Sequence, residues 1–119
     1  MQERGKELEE RTATFALQVL RFVRSLPRST PEQVLGRQRL KAGTAVGANY
    51  RAARRSRSKR EFLARLGVVV EESDESVYWL GLLVRDPACA TLDIAGLLQE
   101  ARELRAIFAT SLRTARSRP

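Results

Sequence analysis

LGRQRLKAGTAVGANYRAARRSRSKREF, residues 35–62, joins a spine of glycines and alanines to a run of arginines. Gly36, Gly43 and Gly47 fall in one narrow sector when residues advance 100° each, with Leu40 beside them and Leu35, Val46, Tyr50 and Ala53 flanking. Glycine costs roughly 1 kcal/mol against alanine inside a helix, so three on one stripe need a compensating gain. Close approach of a neighbouring helix supplies it; a kink at one glycine is the other reading. The arginine run that follows is a surface suited to an anion.

The rest of the chain reads as helices around this one. Upstream, Leu8, Thr12, Phe15, Val19, Phe22 and Leu26 recur at spacings of four and three, and Pro27 ends the pattern. Thr30-Pro31-Glu32-Gln33 reads as a capping box that starts the second helix. Ser58-Lys59-Arg60-Glu61 is another, opening the third. The core seam of that helix is Phe62, Leu66, Val69, Ser73, Val77, Leu80 and Val84. A second seam, Val68, Glu72, Glu75, Trp79 and Leu82, faces another neighbour. Together with Leu17, the far-side leucine of the first helix, Val68, Trp79 and Leu82 form a candidate oligomer interface; the alternative is ordinary contact within the bundle.

Asp86-Pro87 ends the third helix, and Thr91 or Asp93 caps a fourth. Its face is Ile94, Leu97, Ala101, Leu104, Phe108 and Ser111, flanked by Leu98 and Ile107, and a basic tail after Leu112 is expected to fray. The expected fold is therefore all-α, an antiparallel up-down four-helix bundle in one domain, with helices at about 5–26, 31–54, 59–85 and 92–113.

Composition bounds the function. The 119 residues carry 22 Lys and Arg against 14 Asp and Glu, a net charge of +8, which points to an anionic partner, nucleic acid first. Histidine is absent, removing the usual general base, zinc ligand and imidazole triads, so no enzyme is expected. The acidic cluster Glu71, Glu72, Asp74 and Glu75 lacks the histidines of a di-metal bundle site. No metal or cofactor is expected; one of Glu72 and Glu75 is expected to pair with an arginine, with Asn49 near that network. Cys89, the single cysteine, excludes an intrachain disulfide and reads as an inert thiol. Met1–Arg11 is highly charged and no apolar run spans a bilayer, so the expectation is cytoplasmic, with no membrane.

The candidate nucleic-acid contacts are Arg37, Lys41, Arg51, Arg54, Arg55, Arg57, Lys59 and Arg60, a basic strip along the second helix and its following turn. Aromatic residues do not interleave it, so contact led by phosphates and indifferent to sequence is expected. The bland alternative is a solvated face, with some arginines paired to the acidic cluster.

RTATFALQVLRFVRSLP at 11–27, GTAVGANY at 43–50, the S-x-x-E-F start of the third helix and EESDESVYWLGLL at 71–83 together resemble a small bacterial four-helix bundle family. That family, S23-type, is named for open reading frames in intervening sequences of the large-subunit ribosomal RNA gene. The resemblance covers roughly residues 11–111. It implies a ring-like homopentamer with no established enzymatic activity. A similar fold occurs in accessory proteins of diversity-generating retroelements, which partner a reverse transcriptase and nucleic acid. The family's middle motif usually continues into an acidic residue, whereas Arg51-Ala52-Ala53-Arg54-Arg55 is basic here. The function expected is nucleic-acid binding by a basic oligomer; the alternative is an adaptor for another protein, such as a polymerase or reverse transcriptase.

Overall fold

Helix α1 (Gln2–Ser25) buries Leu8, Thr12, Phe15, Val19 and Phe22, and Leu26 is buried just past its end. This is the seam that the spacing of four and three predicts. In the computed structural model, residues 2–26, 30–90 and 92–119 are described, with the side chains of Gln2, Thr30, Glu32, Gln33, Leu35, Arg37, Gln38 and Leu40 left aside. The capping box at Thr30, the stop at Pro27 and the flanking roles of Leu35 and Leu40 lie outside the described residues.

Helix α2 (Thr30–Arg54) runs without interruption through Gly36, Gly43 and Gly47. Each glycine faces α1. A Cβ on Gly43 would stand 3.0 Å from Val19 Cγ2, and one on Gly47 would stand 2.9 Å from Thr12 Oγ1. The glycines serve helix approach, and none breaks the helix. Thr12 is fully buried, and its hydroxyl donates to the Leu8 carbonyl at 2.8 Å, so it is pinned from both sides.

Helix α3 (Lys59–Val84) starts where Ser58 accepts the Glu61 N–H at 3.1 Å, half of the expected capping box. The Glu61 carboxylate reaches back to the Arg57 N–H at 3.4 Å instead of that of Ser58. Its buried side is Leu66, Val69, Ser73, Ser76, Leu80 and Leu83, with Phe62 and Val77 half-buried. The seam slips at the last turn, where Val84 is exposed and Leu83 takes the core position. The following chain forms a single turn of 3-10 helix, Pro87–Cys89, capped by Asp86, and returns Cys89 to the core at 2% exposure.

Helix α4 (Ala95–Ser117) buries Ile94, Leu97, Leu98, Ala101, Leu104, Phe108 and Leu112. Leu112 replaces Ser111 as the last core residue, and the expected frayed tail is helical to Ser117. Asp93 makes no cap, since Ile94 occupies that position without a side-chain bond; Thr91 lies outside the described residues.

The four helices pack in chain order, α1 on α2, α2 on α3 and α3 on α4, in an elongated body of 50 × 22 × 20 Å. The pairs Gly5 with Arg54, Asn49 with Glu72, and Asp74 with Arg105 join ends and middles as antiparallel neighbours must. Tyr50 and Phe108 meet across the core with ring centroids 4.9 Å apart. The closing edge between α1 and α4 is the thinnest. Arg11 bridges it, its Nε and Nη2 donating to the Glu100 carboxylate at 2.8 and 2.7 Å and Nη2 also to Glu103 at 3.0 Å.

Alanine at Gly47 must displace a pinned, buried threonine, whereas a Cβ at Gly67 or Gly81 of α3 meets nothing within 4 Å. Gly67→Ala and Gly81→Ala should therefore raise the stability of the isolated chain by up to about 1 kcal/mol each. Gly47→Ala should lower it by about 1 kcal/mol, the clash outweighing the helix gain. Urea denaturation checks the sign; stabilisation by all three would refute close packing at Gly47.

Candidate nucleic-acid interface

The α2–α3 turn is short because α2 ends in hydrogen bonds from Arg55 N–H to the Ala52 carbonyl and Ser56 N–H to the Ala53 carbonyl, and α3 begins at once at Ser58. Four basic side chains are thereby gathered within six residues, 55–60. Arg55, Arg57, Lys59 and Arg60 are all exposed. None of them makes an ion pair with a carboxylate among the described residues; Lys59 donates to the main-chain carbonyl of Arg118. Along α2, Lys41, Arg51 and Arg55 are exposed on one side, spanning about 20 Å at 1.5 Å per residue. The Arg37 side chain lies outside the described residues.

Arg54 is placed differently from its neighbours. Its guanidinium lies across Gly5 of α1 and bonds to the Glu9 carboxylate, leaving the side chain 23% exposed. Arg54 is thus a strut between α1 and α2 before it is anything else. Arg51 sits at the outer edge of the same carboxylate, 4.0 Å away and 63% exposed, a distance at which the pair contributes little.

The acidic cluster does not neutralise this run. Glu71 and Glu75 are exposed, Asp74 takes Arg105 of α4 at 3.1 Å, and Glu72 accepts from Asn49 Nδ2 at 2.7 Å. The expected arginine partner thus belongs to Asp74, not to Glu72 or Glu75. The cause is rotation along α3: Glu72 turns towards α2 and Asp74 towards α4, so the cluster is divided among neighbours. Among the described residues no group of three acidic, histidine or cysteine side chains gathers as a cation would require.

Burial raises the Glu72 pKa above the ordinary 4.5, the Asn49 hydrogen bond opposes this, and the charges of Glu75 and Glu71 add to it. The folded chain then holds the Glu72 proton more tightly than the unfolded chain does. Its ionised form subtracts from stability at neutral pH, and the deficit lifts as pH falls through the raised value.

The candidate oligomer residues divide. Leu17, Val68 and Leu82 are exposed, whereas Trp79 packs partly against the core. The exposed aromatic of that turn is Tyr78, at 69%. The outward stripe of α3 is accordingly Val68, Glu71, Glu75, Tyr78 and Leu82, one residue round from the expected seam. Gly67 and Gly81 lie open beside it.

Compared with protein-family models and with curated proteins, the chain matches none. Among solved structures it is similar to a protein of unknown function from the S23 ribosomal protein family of Bacteroides thetaiotaomicron VPI-5482. The two share a fold. The TM-score is 0.81 over 92% of this chain and 97% of that one, at 24% sequence identity. The neighbour comes from the S23-type family whose motifs the sequence resembles, and a likeness at this identity is one of architecture.

The Arg11 link between α1 and α4 is not visible in the sequence because it depends on inter-helix register. Its one sequence signal is the pair Glu100 and Glu103, three apart on a face opposite an arginine. The hydrogen bond to Glu100 pushes the Arg11 pKa still higher, holding the bridge charged.

Glu72→Gln keeps an oxygen for Asn49 and removes the buried charge. The unfolding midpoint should rise at pH 7, and the gain should shrink as pH falls towards 4.5. A loss of stability at pH 7, or a gain independent of pH, would contradict the assignment.

Proposed function

We propose that this chain is a non-enzymatic basic bundle that binds nucleic acid through phosphate contacts, with little dependence on base sequence. The observation that carries the reading is the α2–α3 turn. There Arg55, Arg57 and Arg60 stand exposed without a carboxylate partner among the described residues, at the end of the strip from Lys41 and Arg51. Arginine's planar fork matches phosphate oxygens, and a strip fixed on two helices meets successive phosphates with little ordering cost. The residue types supply no nucleophile–base pair, which supports a binding role over catalysis. Cys89, buried and in no disulfide, is compatible with a reducing, cytoplasmic setting. None of the described helices is long and apolar enough to cross a membrane.

Self-association accompanies this reading. Val68, Tyr78 and Leu82 on α3 and Leu17 on α1 expose apolar surface on helices that stand diagonally in the bundle. A contact from α3 of one copy to α1 of the next is head-to-tail, the type of contact from which rings are built, and the family resemblance implies a ring of five copies. Repetition of the basic strip around such a ring would add weak contacts together. An adaptor role towards another protein is the second reading, favoured by the same exposed apolar stripe.

Binding to single-stranded RNA should weaken steeply with salt, log K falling against log salt with a slope of about −3 to −4 for five contacts. Replacing Arg55, Arg57 and Arg60 by Gln should flatten the slope by about 2. Fluorescence anisotropy at several ionic strengths measures both, and salt-insensitive binding or none at low salt would reject the proposal. Light scattering tests assembly: Val68→Glu with Leu82→Glu should reduce the mass while helicity persists. A parent chain already monomeric at micromolar concentration would reject the ring.

A further inference from the structure

At the end of the bundle where α1 begins, α2 turns into α3 and α4 finishes, the helices leave an open cleft of about 1170 Å³. Its rim carries Arg4, Arg54, Lys59 and Arg118, and no carboxylate lines it among the described residues. Glu9 stands behind Arg54 and is already engaged by it. The floor is apolar, made by Leu8, Tyr50, Phe62 and Ile107. Between rim and floor lie hydroxyls, those of Ser56, Ser58, Thr110 and Thr114.

One of these hydroxyls has an unmet requirement. The Ser56 Oγ is buried and has no hydrogen-bond partner among the described residues, a rare state for a buried polar atom. The walls are held in place on either side of it. Lys59 ties the start of α3 to the Arg118 carbonyl just past the end of α4. Arg54 is fixed by Glu9. The combination of a basic rim, an unpartnered hydroxyl and an apolar floor is that of a ligand site, just above the usual size range of about 300–1,000 Å³.

We propose that this cleft takes a nucleotide by its terminal phosphate monoester, the nucleoside lying on the apolar floor, whether the nucleotide is free or is the 5′ end of a strand. Arg4, Lys59 and Arg118 provide the positive rim that a dianionic monoester satisfies better than an internal phosphodiester. The hydroxyls match sugar and base edges, which an acyl chain would leave unpaired in so open a cleft. The 5′-end form rests on the nucleic-acid reading above; the free form does not.

The test is calorimetric titration of the full chain at low salt with adenosine 5′-monophosphate, adenosine and an alkyl phosphate. The monophosphate should bind about tenfold more tightly than either of the others. Ser56→Ala should weaken it severalfold while leaving the unfolding midpoint equal or higher, since the hydroxyl has no partner to lose. Thr110→Glu, an exposed wall position, should abolish binding, and Arg39→Gln, on α2 and outside the cleft lining, should not change it. Equal binding of adenosine and its monophosphate, tighter binding of the alkyl phosphate, or no binding at millimolar concentration would overturn the proposal. Oligonucleotides of one sequence with 5′-phosphate or 5′-hydroxyl separate the two readings. Strong strand binding that ignores the 5′ group removes the 5′-end form and keeps the strip; mononucleotide binding without strand binding keeps the cleft and removes the strip.

Discussion

The close passage of α1 over the glycine face of α2 is the constraint on which the other contacts depend. Thr12 Oγ1 and Val19 Cγ2 lie only 2.9 and 3.0 Å from where Cβ atoms on Gly47 and Gly43 would stand, so side chains there would press the two helices apart. This approach lets Glu9 reach Arg54 and lays the Arg54 guanidinium over Gly5. It also fixes where the α2–α3 turn emerges, and with it the direction in which Arg55, Arg57 and Arg60 project. A looser α1–α2 pair would leave Arg54 as one more solvated arginine.

Helix α1 meets α4 less closely than it meets α2. Among the described residues the closing edge is held by one charged bridge at its middle, Arg11 with Glu100 and Glu103, and opens into clefts on both sides. One of them is the basic, hydroxyl-walled cleft at the α2–α3 end. Packing in this bundle is therefore unequal by construction: three apolar seams close it, and the fourth is polar and incomplete.

What could be read from the sequence was what repeats along a single helix. The α1 seam from Leu8 to Leu26 and the glycine stripe of α2 are products of a 3.6-residue period, and a period is visible in one dimension. Ser58 was legible as a cap for the same reason, since its partner Glu61 is three residues away. The failures are of another kind. Trp79 against Tyr78 and Val84 against Leu83 are choices of one residue's rotation, decided by where a neighbouring helix or returning loop lies. Arg54 looks like its exposed neighbours until Glu9, 45 positions away, is placed beside it. The Arg118 carbonyl at the end of the helical tail likewise meets Lys59, 59 positions away. Each needs the register between helices, which no period within one helix contains.

The return of Cys89 to the core has a practical meaning. It is the chain's only sulfhydryl, 2% exposed, at the end of the bundle opposite the basic turn. A thiol reagent in solution reaches it only when that end opens, so the rate of labelling counts openings of the α3–α4 connection without any introduced probe. With a single reactive group the kinetics are those of one site, and the molecule carries its own clock for breathing at the end remote from its proposed ligands.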